Sequence, residues 1–188
     1  MYFKSFPKIP YDSYGNYDFK VVTNLLRRVS VRAKIKTNTL IYDTYDVKNG
    51  ETPESIAYKL YDDARLHWVV LLVNDITDRY HQWPLSYIQF NKYVSEKYVN
   101  EDGSSNVNGV HHYEIAQSSG DTKTKIEVYN NSALYTGDSD FYASASIVTN
   151  FEYEENEQDK KRKIRLLDPR YLDQFVEEFK TLMRESIL

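Results

Sequence analysis

The spacing of hydrophobic residues is most regular in the last third of the chain. After Asp168-Pro169, apolar residues recur at helical spacing, which predicts a capped amphipathic helix. The residues of this stripe are Tyr171, Leu172, Phe175, Val176, Phe179, Leu182 and Met183. Upstream, apolar residues alternate at 147–153 and again at 162–166, with the polar sequence ENEQDK between them. Alternation on either side of a polar turn predicts a β-hairpin.

The first 20 residues are rich in aromatic side chains that show no helical spacing. Pro7 and Pro10 exclude a helix, so we predict an extended arm that lies on the rest of the chain or on another protein. A short helix is predicted around Thr23–Val29. The alternation within Val29–Ile35 predicts a half-buried strand.

The centre of the chain predicts a strand followed by two helices. Leu40–Val47 has strand composition and leads into the turn sequence Lys48-Asn49-Gly50. Thr52 followed by Pro53 is typical of a helix start, and a second helix is predicted over 63–73. Three later elements are also predicted: a helix at Ser86–Tyr98 and short strands at Val110–Ile115 and Lys125–Tyr129.

The central segment resembles a LysM module. The matching residues are Tyr45, Val47, Gly50, Thr52, Ile56, Ala57 and Leu60, with Asn74 at the end of the second helix. The resemblance implies a two-stranded sheet covered by two helices. No closing strand is evident around Trp83-Pro84, so we expect the partner strand to come from elsewhere in this chain, with Val29–Ile35 as a candidate, or from another protein. The missing loop normally flanks the sugar groove, so we do not expect glycan binding.

A wider set of segments resembles the small baseplate wedge proteins of T-even-type contractile-tailed phages. These segments are the proline-tyrosine arm, the LysM-like centre, Trp83-Pro84-Leu85, Val110–Glu114 and KRKIRLLDPRYLDQFVEEF. The resemblance implies a non-enzymatic virion subunit, assembled in the host cytoplasm, that joins neighbouring wedge proteins and adjacent wedges into the baseplate ring. Two alternatives stay open, namely a LysM-type glycan-binding module and a component of a cell-wall hydrolase.

Together these patterns predict an α+β protein with three regions. They are an N-terminal arm and strand (1–40), a LysM-like βαα(β) domain (41–85), and a C-terminal region (86–188) with a β-hairpin and an amphipathic helix.

Composition adds a reason to expect protein partners. The chain has 18 tyrosines, against 8 phenylalanines and 2 tryptophans, and tyrosine is favoured at contact surfaces. The segment 68–73 is apolar on every side, which requires a second cover from the 86–98 helix, from the C-terminal helix or, for Trp68, from a partner. The candidate contact residues are Tyr2, Phe3, Phe6, Tyr11, Tyr14, Trp68, Trp83, Tyr171 and Phe175.

The residue types that could carry chemistry predict no functional site. His111 and His112 are adjacent and would point to opposite faces of a regular strand, so we predict no metal site, and no cofactor motif is present. The net charge of −4 and the absence of a long apolar run argue against nucleic-acid and membrane partners. No catalytic residues are predicted.

Overall fold

The computed structural model of the chain describes residues 2–26, 29, 41–119, 122–129 and 145–185. Helices and small antiparallel sheets alternate along these residues, which confirms the predicted α+β class. The chain divides into a first unit, Met1–Trp83 with Arg162–Leu188, and a second unit, Pro84–Lys161. The region predicted over 86–188 is therefore shared between the two units.

The first unit is built on a sheet whose two strands are far apart in sequence. Strand β3 (Tyr42–Asp46) pairs antiparallel with β7 (Lys163–Leu167), and the register runs from Tyr42 opposite Leu167 to Asp46 opposite Lys163. A partner strand of β3 thus comes from elsewhere in this chain, as expected, and it is β7. The candidate Val29–Ile35 lies outside the described residues except for Val29. The predicted short helix at Thr23–Val29 also reaches into undescribed residues, and Thr23 itself belongs to a strand.

The predicted strand–helix–helix order of the centre is confirmed. Helix α1 (Pro53–Tyr61) begins at Thr52, whose hydroxyl accepts a hydrogen bond from the Ser55 N–H. A 3-10 turn at Ala64–Leu66 leads into α2 (His67–Val73). A short helix, α3 (Arg79–Gln82), ends just before Trp83.

Helix α2 is buried on two sides, which explains its apolar sequence. Val70 packs into a cluster with Ile56 of α1 and Ile164 of β7. On the other side, Trp68 and Val69 pack into a second cluster that includes Phe179. That residue belongs to the closing helix, here α6 (Leu172–Glu185), which the sequence predicted and which follows a 3-10 turn at Pro169–Tyr171. The second cover of α2 therefore comes from the C-terminal helix of the same chain.

The N-terminal segment is not a continuous extended arm. Residues Tyr2–Ser5 form a 3-10 turn that brings Phe6 into the cluster containing Trp68, Val69 and Phe179, which we call the α2–α6 cluster. Strands β1 (Lys8–Tyr11) and β2 (Lys20–Thr23) then form an antiparallel hairpin. Aromatic packing stabilises the 3-10 turn. The ring centroid of Tyr2 lies 5.4 Å from that of Phe179 and 5.3 Å from that of Trp68.

The second unit combines a three-stranded sheet with two helices. Its strands are β4 (Val110–Ser119), β5 (Thr122–Tyr129) and β6 (Ser146–Thr149), in the order β5-β4-β6. The helix predicted at Ser86–Tyr98 is confirmed as α4 (Tyr87–Lys97), capped by Ser86. The strands predicted at Val110–Ile115 and Lys125–Tyr129 are confirmed within β4 and β5.

The β-hairpin predicted between 147–153 and 162–166 is wrong. A helix, α5 (Asn150–Arg162), occupies the predicted turn, and β6 and β7 belong to different sheets. Thr149 and Glu152 cap this helix reciprocally, because the Thr149 hydroxyl accepts from the Glu152 N–H and the Glu152 carboxylate accepts from the Thr149 N–H. The Glu, Gln and Lys residues that follow favour a helix over a turn.

Candidate interaction surfaces

Three of the predicted contact residues lie in the core of the first unit. Phe6, Trp68 and Trp83 are all buried. The Trp83 indole N–H donates a hydrogen bond of 2.9 Å to the carbonyl oxygen of Glu51, so its polar edge is also satisfied within the chain. This corrects the prediction that Trp68 and Trp83 face a partner.

The remaining predicted contact residues lie at the surface or close to it. Tyr2 and Phe175 are half-buried against the α2–α6 cluster, and Tyr171 is only marginally exposed. Phe3, Tyr11 and Tyr14 are well exposed, with Tyr14 at 83% of its full surface. The structure thus does not gather the predicted set into one surface.

The strongest exposed apolar feature is the β1–β2 hairpin with the turn that follows it. We call its exposed residues the hairpin surface: Tyr11, Tyr14, Tyr17, Phe19, Val21, Val22, Leu25 and Leu26. Val21 and Leu26 are 71% and 94% exposed. Single exposed apolar residues are common on protein surfaces, but a group of them marks an interaction site. Of this set, only Tyr11 and Tyr14 were predicted to be contact residues. Apolar residues at successive positions, as in Val21-Val22, were the available signal, because one strand face cannot bury both.

The hairpin has little support of its own. All four residues of β2 are exposed, and in β1 only Ile9 is half-buried. Within the described residues, neither strand pairs with a third strand. A two-stranded ribbon with solvent on both faces is marginally stable in water. The backbone edges and side chains of this hairpin are therefore available to a partner.

The LysM-like motif, by contrast, is used inside the chain. Gly50 has a φ of +77°, which its lack of a side chain permits. The carboxylate of Glu51 accepts hydrogen bonds from the Tyr45 hydroxyl at 2.8 Å and from the Lys48 N–H at 2.9 Å, and it pairs with Lys59. These contacts join β3 and the turn to α1, so the motif positions the helix and leaves few groups for a ligand.

Asn74 protects the outer edge of β7. At the two ends of the β3–β7 ladder, the Val47 N–H donates to the Arg162 carbonyl oxygen and the Asp168 N–H donates to the Ile41 carbonyl oxygen. Hydrogen-bonded and non-hydrogen-bonded pairs alternate between these ends, so the N–H and carbonyl of Arg165 point away from β3. The Asn74 amide donates to the Arg165 carbonyl oxygen and its oxygen accepts from the Arg165 N–H, both at 2.8 Å. The residue that ends α2 therefore covers an edge to which another chain would otherwise add.

Acidification is expected to destabilise the first unit through Glu51. Burial raises the pKa of Glu51, but hydrogen bonds from Lys59, from the Lys48 N–H and from Tyr45 outweigh it and hold the pKa below its ordinary value. Stabilisation from a lowered pKa is complete above the unfolded value of about 4.3 and is lost as the pH falls through the folded value. The melting temperatures of the wild type and Glu51→Gln should therefore differ most near pH 6 and begin to converge as the pH falls below about 4.3. A difference that stays constant over this range would contradict the assignment.

A membrane-spanning helix needs about 20 mostly apolar residues, and none of the helices within the described ranges contains such a stretch.

The comparisons with known proteins agree with one another over most of the chain. The baseplate wedge protein gp53 of Enterobacteria phage T4 is 24% identical to the chain over 148 residues, which cover 76% of this chain and 74% of the phage T4 protein. The sequence profile of the family described as base plate wedge protein 53 matches residues 1–183. Because that match spans nearly the whole sequence, including both units, the chain belongs to the base plate wedge protein 53 family.

Proposed function

We propose that this structural baseplate subunit joins neighbouring wedge proteins through the hairpin surface. The observation that carries the proposal is the exposure of Tyr14, Val21 and Leu26 on a ribbon with little support from the first unit. Burying one such side chain at an interface contributes about 1.5–3 kcal/mol, and a partner that covers several would order the hairpin as it binds. The site of action is the tail baseplate of the virion.

The chemistry of the hairpin surface favours a protein partner. Within residues 8–26, the charges of Lys8, Asp12, Asp18 and Lys20 cancel, so the described part of the hairpin has no net charge to attract nucleic acid. Tyrosines with aliphatic neighbours are the composition enriched in the cores of protein–protein interfaces. Within the described residues, β1 and β2 pair with no third strand, so their outer edges also allow strand addition by an extended segment of the partner. We therefore take other baseplate wedge proteins, in the same or an adjacent wedge, as the partners.

The proposed role requires no catalysis. The acidic residues of α5 have structural partners: Glu152 caps the helix, and Glu157 pairs with Lys160. Glu154 is buried and accepts hydrogen bonds from Lys97 and from the Tyr98 hydroxyl, both on or beside α4. These contacts explain why each carboxylate is present without assigning it a substrate. Glycan binding and hydrolysis are the rival functions, and none of these contacts favours them.

Substitution of the hairpin surface is expected to weaken assembly without unfolding the chain. The double variant Tyr14→Ala, Val21→Thr removes a ring and an apolar face while keeping a β-branched residue in β2. Its affinity for co-expressed wedge proteins of the same phage should fall at least about tenfold, as for residues at the centre of an interface. Native mass spectrometry and titration calorimetry of the purified complex measure this change.

A matched control is Tyr80→Ala, because Tyr80 lies outside the hairpin and is 87% exposed, close to the exposure of Tyr14. Equal binding by the double variant and this control would overturn the assignment of the hairpin surface. Saturable binding of chitin or peptidoglycan fragments, or loss of turbidity of cell walls treated with the wild type, would instead favour one of the rival functions.

A further inference from the structure

A β-bulge in the second unit changes the direction of two adjacent histidines. Strand β4 pairs with β6 through Val110 opposite Thr149 and then through His112 opposite Val148, so His111 is an extra residue in the ladder. On a regular strand these two rings would point to opposite faces. The bulge instead brings the Nδ1 atoms of His111 and His112 within 2.8 Å, which is a hydrogen-bond distance.

The buried ring of His112 lies beside two carboxylates on the same sheet. His112 is 3% exposed, and its Nε2 atom is 3.6 Å from a carboxylate oxygen of Glu114, two residues along β4. Glu114 stands directly opposite Glu127 of β5 in the ladder. One possible metal-ligand atom from each of His112, Glu114 and Glu127 lies within 4.8 Å of the other two.

The charges of this cluster favour a bound cation. Two carboxylates directly opposite each other on paired strands repel and destabilise the sheet. Lys125 pairs with Glu114 at 2.5 Å and cancels one of the two negative charges. The two carboxylates and this one ammonium leave one excess negative charge beside an imidazole nitrogen of His112. An imidazole nitrogen with carboxylate oxygens is the donor set that divalent zinc and its first-row neighbours prefer.

We propose that His112, Glu114 and Glu127 form a binding site for a divalent first-row transition-metal ion, for which Zn²⁺ is the test ion. The His111–His112 hydrogen bond fixes the ring and, when His112 Nδ1 carries the proton, leaves the Nε2 lone pair directed at the metal. Zinc bonds of about 2.0–2.2 Å require the donors to approach one another, which the exposed side chain of Glu127 permits. The ion would clamp β4 to β5. This site is independent of the hairpin surface, which lies in the other unit.

Metal titration of the tag-free, chelator-treated full chain tests the site. Calorimetry with ZnCl₂ and visible absorption with CoCl₂ should both show one saturable ion per chain. The Glu127→Gln variant keeps the size of an exposed side chain but removes a charged ligand, so we expect its dissociation constant to rise at least about tenfold. The matched control is Glu155→Gln on α5, another exposed glutamate outside the cluster.

A second readout locates the ion without substituting the buried His112. The ¹⁵N resonance of its Nε2 should shift on addition of Zn²⁺, whereas the rings of His67 and His81 should not respond. Absence of saturable binding, equal affinities in Glu127→Gln and Glu155→Gln, or a response confined to His67 or His81 would each overturn the proposal.

Discussion

Replacing Trp68 with alanine is expected to lower the free energy of unfolding of the first unit by about 3–5 kcal/mol. The indole is 7% exposed, and its centroid lies 4.5 Å from the ring of Phe179 and 5.3 Å from that of Tyr2. Alanine removes these contacts and leaves a cavity where the N-terminal turn, α2 and α6 meet. A typical domain is stable by only about 5–15 kcal/mol, so this single change takes up much of the total.

Urea unfolding of the Trp68→Ala variant, followed by far-ultraviolet circular dichroism, measures this loss. Tyr80→Ala is again the control, because it removes an aromatic ring that is exposed, and we expect its unfolding midpoint to match the wild type. If Trp68→Ala instead unfolded like the control but failed to bind wedge proteins, the indole would belong to an interface.

Local signals in the sequence predicted the elements that are stabilised locally. The Thr52-Pro53 start of α1 and the apolar stripe of α6 each carry their own cap or periodicity, and both helices are present. Helix α5 also has a local signal, the spacing of Thr149 and Glu152, but the alternation of apolar residues beside it favoured a strand. A capping box and a run of helix-forming residues outweigh four alternating positions.

The pairing of β3 with β7 could not be predicted from local patterns. The alternation at 162–166 correctly indicated a strand with Ile164 and Leu166 on its buried face. Which strand it joins depends on packing between α2 and α6, and on the contact of Asn74 with Arg165, neither of which leaves a periodic signal. The same limit applied to the surfaces. The presence of an aromatic residue in the sequence does not indicate whether its side chain is buried, as in Trp68, or exposed, as in Tyr14.

Truncation of the chain before β7 is expected to unfold much of the first unit. A chain that ends after Lys161 lacks β7 and α6, and so lacks a set of residues buried in the first unit: Ile164, Leu166, Leu167, Phe179 and Met183. Loss of one such side chain costs about 2–5 kcal/mol, so the loss of all five exceeds the stability of an ordinary domain. It also leaves β3 without a partner in the described sheet. We therefore expect residues 41–83 to lose their folded structure in this truncated chain.

Hydrogen–deuterium exchange with peptide resolution tests this expectation. In the truncated chain, the amides of α1 and α2 should exchange at the rate of an unfolded chain, while those of α4, which lies in the second unit, should stay protected. Addition of a peptide spanning 162–188 in trans is the control, and it should restore protection to α1 and α2. Protection that persisted without the peptide would mean that β3, α1 and α2 fold by themselves, as a free-standing LysM module does. Exchange that follows the expected pattern would mean that β3, α1 and α2 fold only when β7 and α6 are present to complete the sheet and cover α2.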